Sequence, residues 1–284
     1  MTLFADSLLP GHVAVVTGGA SGIGAGTVRA LAARGMAVAV ADIDIDGARA
    51  VADAVANEHR SMTLAMEVDM VETDSVERLA ESVADALGPV HLLFNNAGVM
   101  PVGPLLENTI DDWRWLFDVN VIGVVNGINA FVPRMLAHGQ PSRVVNTASM
   151  AAFGPSEAFP SYAASKQAAL GLTESLRLEL EGTTVRVSVV CPGAVNTEIA
   201  QSERNRQPRY GPPSGRTMPI GPEQEKAARQ LIEPDEAGRR IVEGILADEF
   251  WIFTHPEWTR KIRSRFDEAV DAAQRAIRRR ESEA

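Results

Sequence analysis

His12-Val13-Ala14-Val15-Val16-Thr17-Gly18-Gly19-Ala20-Ser21-Gly22-Ile23-Gly24 is the stretch that decides the fold. His12–Val16 is a valine-rich run that stops at a glycine-rich turn, and the alanine-rich segment Ala25–Arg34 follows with helical character. A strand without polar alternation is one buried on both faces. Strand, turn and helix in this order form the opening unit of an alternating α/β sheet. Glycines at such a turn let the backbone bend tightly and approach a phosphate, and the helix behind it offers free N–H groups at a positive dipole end. A purely structural turn would also use glycine, so the decision passes to the rest of the chain.

Working outward, the same rhythm repeats. Strand candidates are Met36–Ala41, Met62–Glu67, His91–Phe94, Arg143–Thr147, Val185–Val190 and Phe250–Phe253. Between them lie helical stretches at Gly47–Glu58, Ser75–Leu87, Thr109–Leu136, Tyr162–Leu180 and Pro234–Leu246. The alternation predicts a Rossmann-type α/β fold, a doubly wound parallel sheet of about seven strands with helices on both faces. We expect one domain across residues 1–284, with no internal repeat. Residues 198–233, rich in Pro, Gly, Arg and Glu, break the rhythm, and a connection that long is usually functional. Residues 259–281 read as a charged helix with an apolar stripe of Ile262, Phe266, Val270, Ala273 and Ile277. That stripe suits either its own domain or a second subunit.

Composition narrows the function. Hydrophobic residues make up 45% of the 284, which is a globular proportion. With 27 basic and 37 acidic side chains the formal charge is −10, and an acidic surface repels nucleic acid. Cys191 is the one cysteine, which excludes an intrachain disulfide and fits a reducing compartment. The first residues lack a basic segment, and Asp6 interrupts their apolar run, unlike a secretory signal. No uninterrupted apolar run approaches the ~20 residues of a membrane span. A cytoplasmic protein without membrane or nucleic-acid partners is expected. The five histidines show no ligand spacing, so no metal is expected.

Asp42 supplies the test that the glycine turn needs. It ends the second strand, where a carboxylate accepts hydrogen bonds from an adenosine ribose and repels a 2′-phosphate. Ile43 follows it and Ser21 precedes Gly22, so no basic residue offsets that repulsion. The turn and Asp42 together point to NAD rather than NADP, held by Gly18, Ser21, Gly22, Ile23, Gly24 and Asp42. Capping of the next helix, the alternative role for Asp42, is better served by Asp44 and Asp46.

Tyr162-Ala163-Ala164-Ser165-Lys166 places a phenol and an ammonium on one face of a helix. Ser149 follows a strand, Asn120 lies within a long helical stretch, and Asn95-Asn96-Ala97-Gly98 ends another strand. With the glycine turn, this ordered set is similar to the short-chain dehydrogenase/reductase family over roughly residues 10–255. A free tyrosine has a pKa of about 10, and bringing it to about 7 takes roughly 4 kcal/mol of phenolate stabilisation, which a nearby ammonium and a positive nicotinamide ring can supply. Tyr162 is therefore the candidate general acid/base, Lys166 the group that lowers its pKa, and Ser149 the holder of the substrate oxygen. The resemblance implies that Lys166 also binds the nicotinamide ribose and that Asn120 keeps a water in a relay to Lys166. It further implies that Val68 and Asp69 contact the adenine. Asn96, Ala97 and Gly98 pack the adenosine side, and Pro192, Gly193, Val195 and Thr197 close over the nicotinamide. It makes residues 198–233 a lid, and a homodimer or homotetramer the expected assembly.

The expected substrate is a small-molecule alcohol or carbonyl compound. Met100, Ala151, Ala152, Phe153 and Phe159 suggest a carbon-rich one. Arg204, Arg206, Arg209 and Arg216 would serve an anionic substrate or simply a solvated face. A non-catalytic NAD-sensing protein would be expected to have lost part of the Ser149, Asn120, Tyr162 and Lys166 set. A nucleotide-sugar epimerase or dehydratase would need a larger segment after Gly193.

Overall fold

The computed structural model describes residues 10–154, 157–219 and 221–283; the amino-terminal stretch read above as unlike a secretory signal falls mostly outside them. Seven strands form one sheet: β1 (Val13–Thr17), β2 (Ala37–Asp42), β3 (Thr63–Glu67), β4 (Val90–Asn95), β5 (Ser142–Thr147), β6 (Val185–Cys191) and β7 (Trp251–Phe253). Their order is β3-β2-β1-β4-β5-β6-β7, and every neighbouring pair is parallel. The sequence therefore reads correctly as a doubly wound sheet.

The pleat sorts each strand between two cores. Ala14, Val16, Val38 and Val40 pack on one face with Val28 and Leu31 of α1 (Gly22–Ala32), Val51 and Val55 of α2 (Ile45–His59) and Ile241 of a helix at Pro234–Leu246. Val13, Val15, Ala37 and Ala39 point the other way. They meet Leu79 and Val83 of α3 (Thr73–Leu87), Phe131 and Met135 of a helix at Gly123–His138, and Leu176. Alternate residues thus bury on opposite faces, which is why these strands look apolar throughout.

The long helical stretch is more varied than its sequence suggests. α4 (Ile110–Phe117) opens with a capping box between Thr109 and Asp112, then widens into a π-helical turn over Asp118–Ile122, and α5 (Gly123–His138) continues it. Such π turns recur at functional sites, and this one carries Asn120. By length and composition Ile110–His138 could cross a bilayer, but 61% of its apolar window is buried inside the protein. α6 (Pro160–Glu179) starts with proline at its first position, which suits a helix N-terminus.

After β6 the chain makes 3₁₀ turns at Ile199–Asn205 and Pro208–Tyr210, then α7 (Pro222–Ala228) and α8 (Pro234–Leu246). Residues 198–233 are thus built of short helical pieces. α9 (Thr259–Glu283) ends the chain.

α1 and α8 cross backbone to backbone. A Cβ on Gly26 would lie 2.0 Å from the Pro234 carbonyl oxygen, and one on Gly238 would lie 2.3 Å from the Gly26 carbonyl carbon. Gly26→Ala must push the helices apart. We expect it to lower unfolding stability in urea by about 1–3 kcal/mol or more, the cost of overpacking; an unchanged midpoint would contradict this crossing.

Candidate active site

The strand order reverses direction between β1 and β4, and in such sheets the ligand crevice opens outside the carboxyl ends of the strands at that point. Here the crevice is a cleft of about 490 Å3. Its walls include Gly18, Ser21, Gly22, Ile23, Asp42, Val68, Asp69, Asn96, Ala97, Gly98, Ser149, Tyr162, Lys166, Pro192, Gly193, Val195 and Thr197. All these residues were singled out from sequence. Gly24 and Asn120 stand behind the wall.

The glycine turn is locked to β4. Thr17 Oγ1 accepts from the backbone N–H groups of Asn96 and Ala97 at 3.0 and 3.1 Å, and Asn96 Nδ2 donates to the carbonyls of Thr17 and Gly18 at 3.1 and 3.2 Å. Gly18 and Gly22 hold φ of +65° and +51°, where side chains are strained. A Cβ on Gly24 would meet the Gly18 carbonyl oxygen at 2.0 Å, so its part is to let the turn close on α1. Ser21 is the N-cap of α1, yet its side chain caps nothing, which leaves the first N–H groups of the helix for a ligand. This bare, donor-lined cradle fits a dinucleotide pyrophosphate.

Asp42 does two jobs. Its carboxylate accepts from the backbone N–H of Ala20 and of Asp44, both at 3.0 Å, so it joins the turn to the end of β2. Burial pushes its pKa above the ordinary value, while those backbone donors pull the other way. Asp44, not Asp42, caps α2 by accepting from Gly47 N.

The catalytic candidates converge at the other end of the cleft. Lys166 is buried, and its ammonium donates to the Thr147 carbonyl at 2.8 Å. Burial lowers its pKa to about 8. Tyr162 keeps part of its ring exposed, but its hydroxyl is deep enough that burial pushes its pKa up to about 12, opposed by a hydrogen bond with Ser149. The acidification expected from Lys166 and a positive nicotinamide ring together is opposed by burial of the phenol. In the chain alone Lys166 lies 5.6 Å from the phenol ring centre, its charge is spent on Thr147, and desolvation wins. Ser149 also accepts from Ala151 N at 3.0 Å, starting a 3₁₀ turn, so its cap role and its contact with Tyr162 coexist.

Asn120 is fully buried. Its Oδ1 accepts from Val99 N at 2.8 Å, and its Nδ2 donates to the Val99 carbonyl and to Ser165 Oγ, each at 3.0 Å. A Cβ on Gly98 would sit 3.3 Å from Asn120 Oδ1 and 3.4 Å from Lys166 Nζ, so both polar atoms border the space that the missing side chain leaves. Thr17 and Ser165 through their hydroxyls and Thr147 through its carbonyl shape the site by contacts that no spacing pattern announces.

The four lid arginines are not free to recruit an anion. Arg206 is buried against Asp112 at 2.5 Å, and Arg216 meets the other Asp112 oxygen at 3.0 Å. Burial works against the Asp112 charge, but hydrogen bonds from Arg206, Thr109 and Arg216 outweigh it and hold its pKa below the ordinary value. Arg204 pairs with Glu198 at 3.0 Å. Arg209 bridges Asp69 and Glu72, and Gln207 Nε2 donates to the same Asp69 carboxylate. The segment after β6 is thus tied by ion pairs to Asp112, Asp69 and Glu72. Met100, Trp115, Val119, Phe159 and Trp258, with Met218 and Leu231 of the segment itself, give the cleft an apolar chamber. Ala151 also lines it, whereas Ala152 and Phe153 pack into a core cluster with Cys191 instead. Burial pushes the Cys191 thiol up to about 12, as expected of an inert packing residue.

The chain matches the family described as short chain dehydrogenase over residues 12–208. It is 36% identical over 259 residues to a 1-deoxy-11-beta-hydroxypentalenate dehydrogenase of Streptomyces exfoliatus, covering 90% of this chain and 88% of the relative. It is 33% identical over 271 residues to a C alpha-dehydrogenase of Sphingobium sp. strain SYK-6, covering 92% and 86%. Its fold superposes on a short chain dehydrogenase/reductase of Burkholderia phymatum, solved in complex with NAD, with a TM-score of 0.83 and 34% identity over 95% of this chain and 96% of that one.

The buried ammonium sets a pH dependence. Folded Lys166 loses its proton near pH 8, whereas an unfolded lysine does so near 10.5. Between these values the unfolded chain holds the extra proton, so this residue makes stability rise with pH. Thermal melts of the wild type and of Lys166→Met should show the difference between the two shifting in favour of the wild type from pH 8 to 10. A flat difference would show that the ammonium is not desolvated.

Proposed function

Because this chain belongs to the short-chain dehydrogenase family, we propose that it is an NAD-dependent oxidoreductase that interconverts a secondary alcohol and its ketone. The observation that carries the reading is convergence. Tyr162, Ser149 and Lys166 line the same cleft as the bare glycine turn and Asp42.

Bound nicotinamide would supply the hydride acceptor or donor and, when oxidised, a positive ring. Everything else falls to the chain's own side chains. Gly18, Ser21, Gly22 and Ile23 present backbone N–H groups and room for a pyrophosphate, and Asp42 faces the adenosine ribose. Val68, Asp69, Asn96, Ala97 and Gly98 border the adenosine end, and Pro192, Gly193, Val195 and Thr197 border the nicotinamide end. Ser149 holds the substrate oxygen beside the Tyr162 hydroxyl. Tyr162 exchanges the proton with that oxygen, giving it up in ketone reduction and taking it in alcohol oxidation. A phenol raised by burial keeps its proton, so action as a base in oxidation depends on positive charge arriving nearby. Lys166 is fixed to contact the ribose and to share its charge. Asn120, held by Val99 and Ser165, keeps a water in a relay to Lys166, with one Oδ1 lone pair left for it.

The apolar chamber favours a carbon-rich substrate. The same reading makes the protein a cytoplasmic homodimer or homotetramer acting on a small molecule, with residues 198–233 as lid on a single catalytic domain.

Two measurements test it. Tyr162→Phe should leave NAD binding, followed by fluorescence titration, unchanged while turnover of a secondary alcohol falls by about 10²–10⁴-fold, the usual share of a general acid/base. Turnover close to wild type would remove the assignment. Separately, the Michaelis constant for NADP should exceed that for NAD, because Asp42 opposes the 2′-phosphate. Asp42→Ala should narrow the gap, and an NADP preference in the wild type would refute the role of Asp42.

A further inference from the structure

Two buried polar residues have no part in the reaction as assigned. Thr254 and His255 follow β7 directly, and neither is more than 1% exposed. They carry a chain of hydrogen bonds with a defined direction. The backbone N–H of Gly193 donates to Thr254 Oγ1 at 3.0 Å. Thr254 Oγ1 lies 2.9 Å from His255 Nδ1, and His255 Nε2 lies 3.0 Å from the Gln230 carbonyl oxygen. A carbonyl only accepts, so Nε2 carries a proton and donates it to Gln230. In a neutral imidazole the other nitrogen is then the acceptor, and its donor is the Thr254 hydroxyl. Arg240 of α8 donates to the Thr254 carbonyl, which fixes the pair to the fold.

The chain of bonds ends on two walls of the cleft. Gly193 lines it, and where a side chain would stand it has the imidazole, since a Cβ there would lie 2.5 Å from His255 Nδ1. Gln230 precedes Leu231, one of the chamber residues. These walls also meet through their backbones: Ile232 N–H donates to the Ala194 carbonyl, and Asn196 N–H to the Ile232 carbonyl. A third wall leans on the same ring. Trp258 lines the chamber, and its ring centre lies 4.9 Å from that of His255. One imidazole therefore joins the loop after β6, the end of the segment that follows it and the residues after β7.

We propose that His255 is a positioning residue for the nicotinamide end of the cofactor. Through Thr254 it holds Gly193, and through Gln230 it holds the wall beside Leu231, so both stand in place before the ring enters. The proposal rests on the cofactor reading given above. Without the imidazole, the Thr254 hydroxyl and the Gln230 carbonyl lose their partners, and unpaired buried groups loosen the segments that carry them. Ordering those segments then falls to the ligand.

Calorimetric binding of NAD and of ADP-ribose to the full chain tests this. ADP-ribose keeps the adenosine, the pyrophosphate and the second ribose but lacks the nicotinamide. His255→Phe keeps a ring for Trp258 and Gly193 to pack on and removes both hydrogen bonds. Thr254→Val keeps the side-chain shape and removes the middle link. Each should raise the Kd for NAD about tenfold, as for a site that is competent about a tenth of the time, and leave the Kd for ADP-ribose unchanged. The double variant should also lose about tenfold and not about a hundredfold, because links of one chain do not add. Equal weakening of both ligands would mark a general loss of structure and overturn the proposal. Unchanged NAD binding or additive losses would overturn it too, and each of these results leaves the cofactor reading standing. A wild type that bound neither ligand would remove that reading and this proposal with it.

Discussion

A buried ammonium, that of Lys166, has one acceptor among the described residues, the carbonyl of Thr147 at the end of β5. Removing a charge from water is costly unless it is paired or hydrogen-bonded, so α6 cannot shift along the sheet without stranding Lys166. That bond fixes Tyr162, one turn earlier on the same helix, against Ser149 at the mouth of β5. Gly98, lacking a side chain, leaves room beside the end of β4 that both Asn120 Oδ1 and Lys166 Nζ border. The cofactor turn is tied to that same strand end through Thr17 and Asn96. Two halves of the cleft thus share one rigid edge, formed by the carboxyl ends of β1, β4 and β5.

The same desolvation that makes Lys166 a reliable anchor keeps it from acidifying Tyr162 by itself. Burial moves the two groups in opposite directions, the phenol up and the ammonium down, each toward its neutral form. The site in the chain alone therefore holds its proton on Tyr162. A charge brought in with a ligand acts in a low-dielectric pocket, where it has more effect than in water.

The lid uses charge for another purpose. Asp112 caps α4 and also receives Arg206 and Arg216, so the start of α4 and the segment after β6 are one electrostatic unit. Removing one partner would leave a buried charge unpaired, which is strongly destabilising. Polar residues thereby close an apolar chamber without entering it. The segment after β6 also reaches Asp69 after β3 through Gln207 and Arg209.

Much of this was legible in the chain itself. Valine-rich runs ending in glycine, Asp42, Asn96 and Ser149 announce a parallel sheet whose functional edge is its carboxyl end. Strands buried on both faces leave no other pattern. The Tyr162–Lys166 spacing placed both groups on one face because helical geometry is local. What the sequence could not give was the environment of those groups. Whether a tyrosine is acidified or a lysine paired depends on which groups and how much water lie beside it, and those neighbours, Ser149 for Tyr162 and the Thr147 carbonyl for Lys166, are 13 and 19 residues away along the chain. The lid arginines show the same limit, since composition records four positive charges and only folding assigned them to Asp112, Asp69, Glu72 and Glu198. Local order is set by periods of two and 3.6 residues, which a sequence displays. Electrostatics is set by distance and burial, which exist only once the chain has closed.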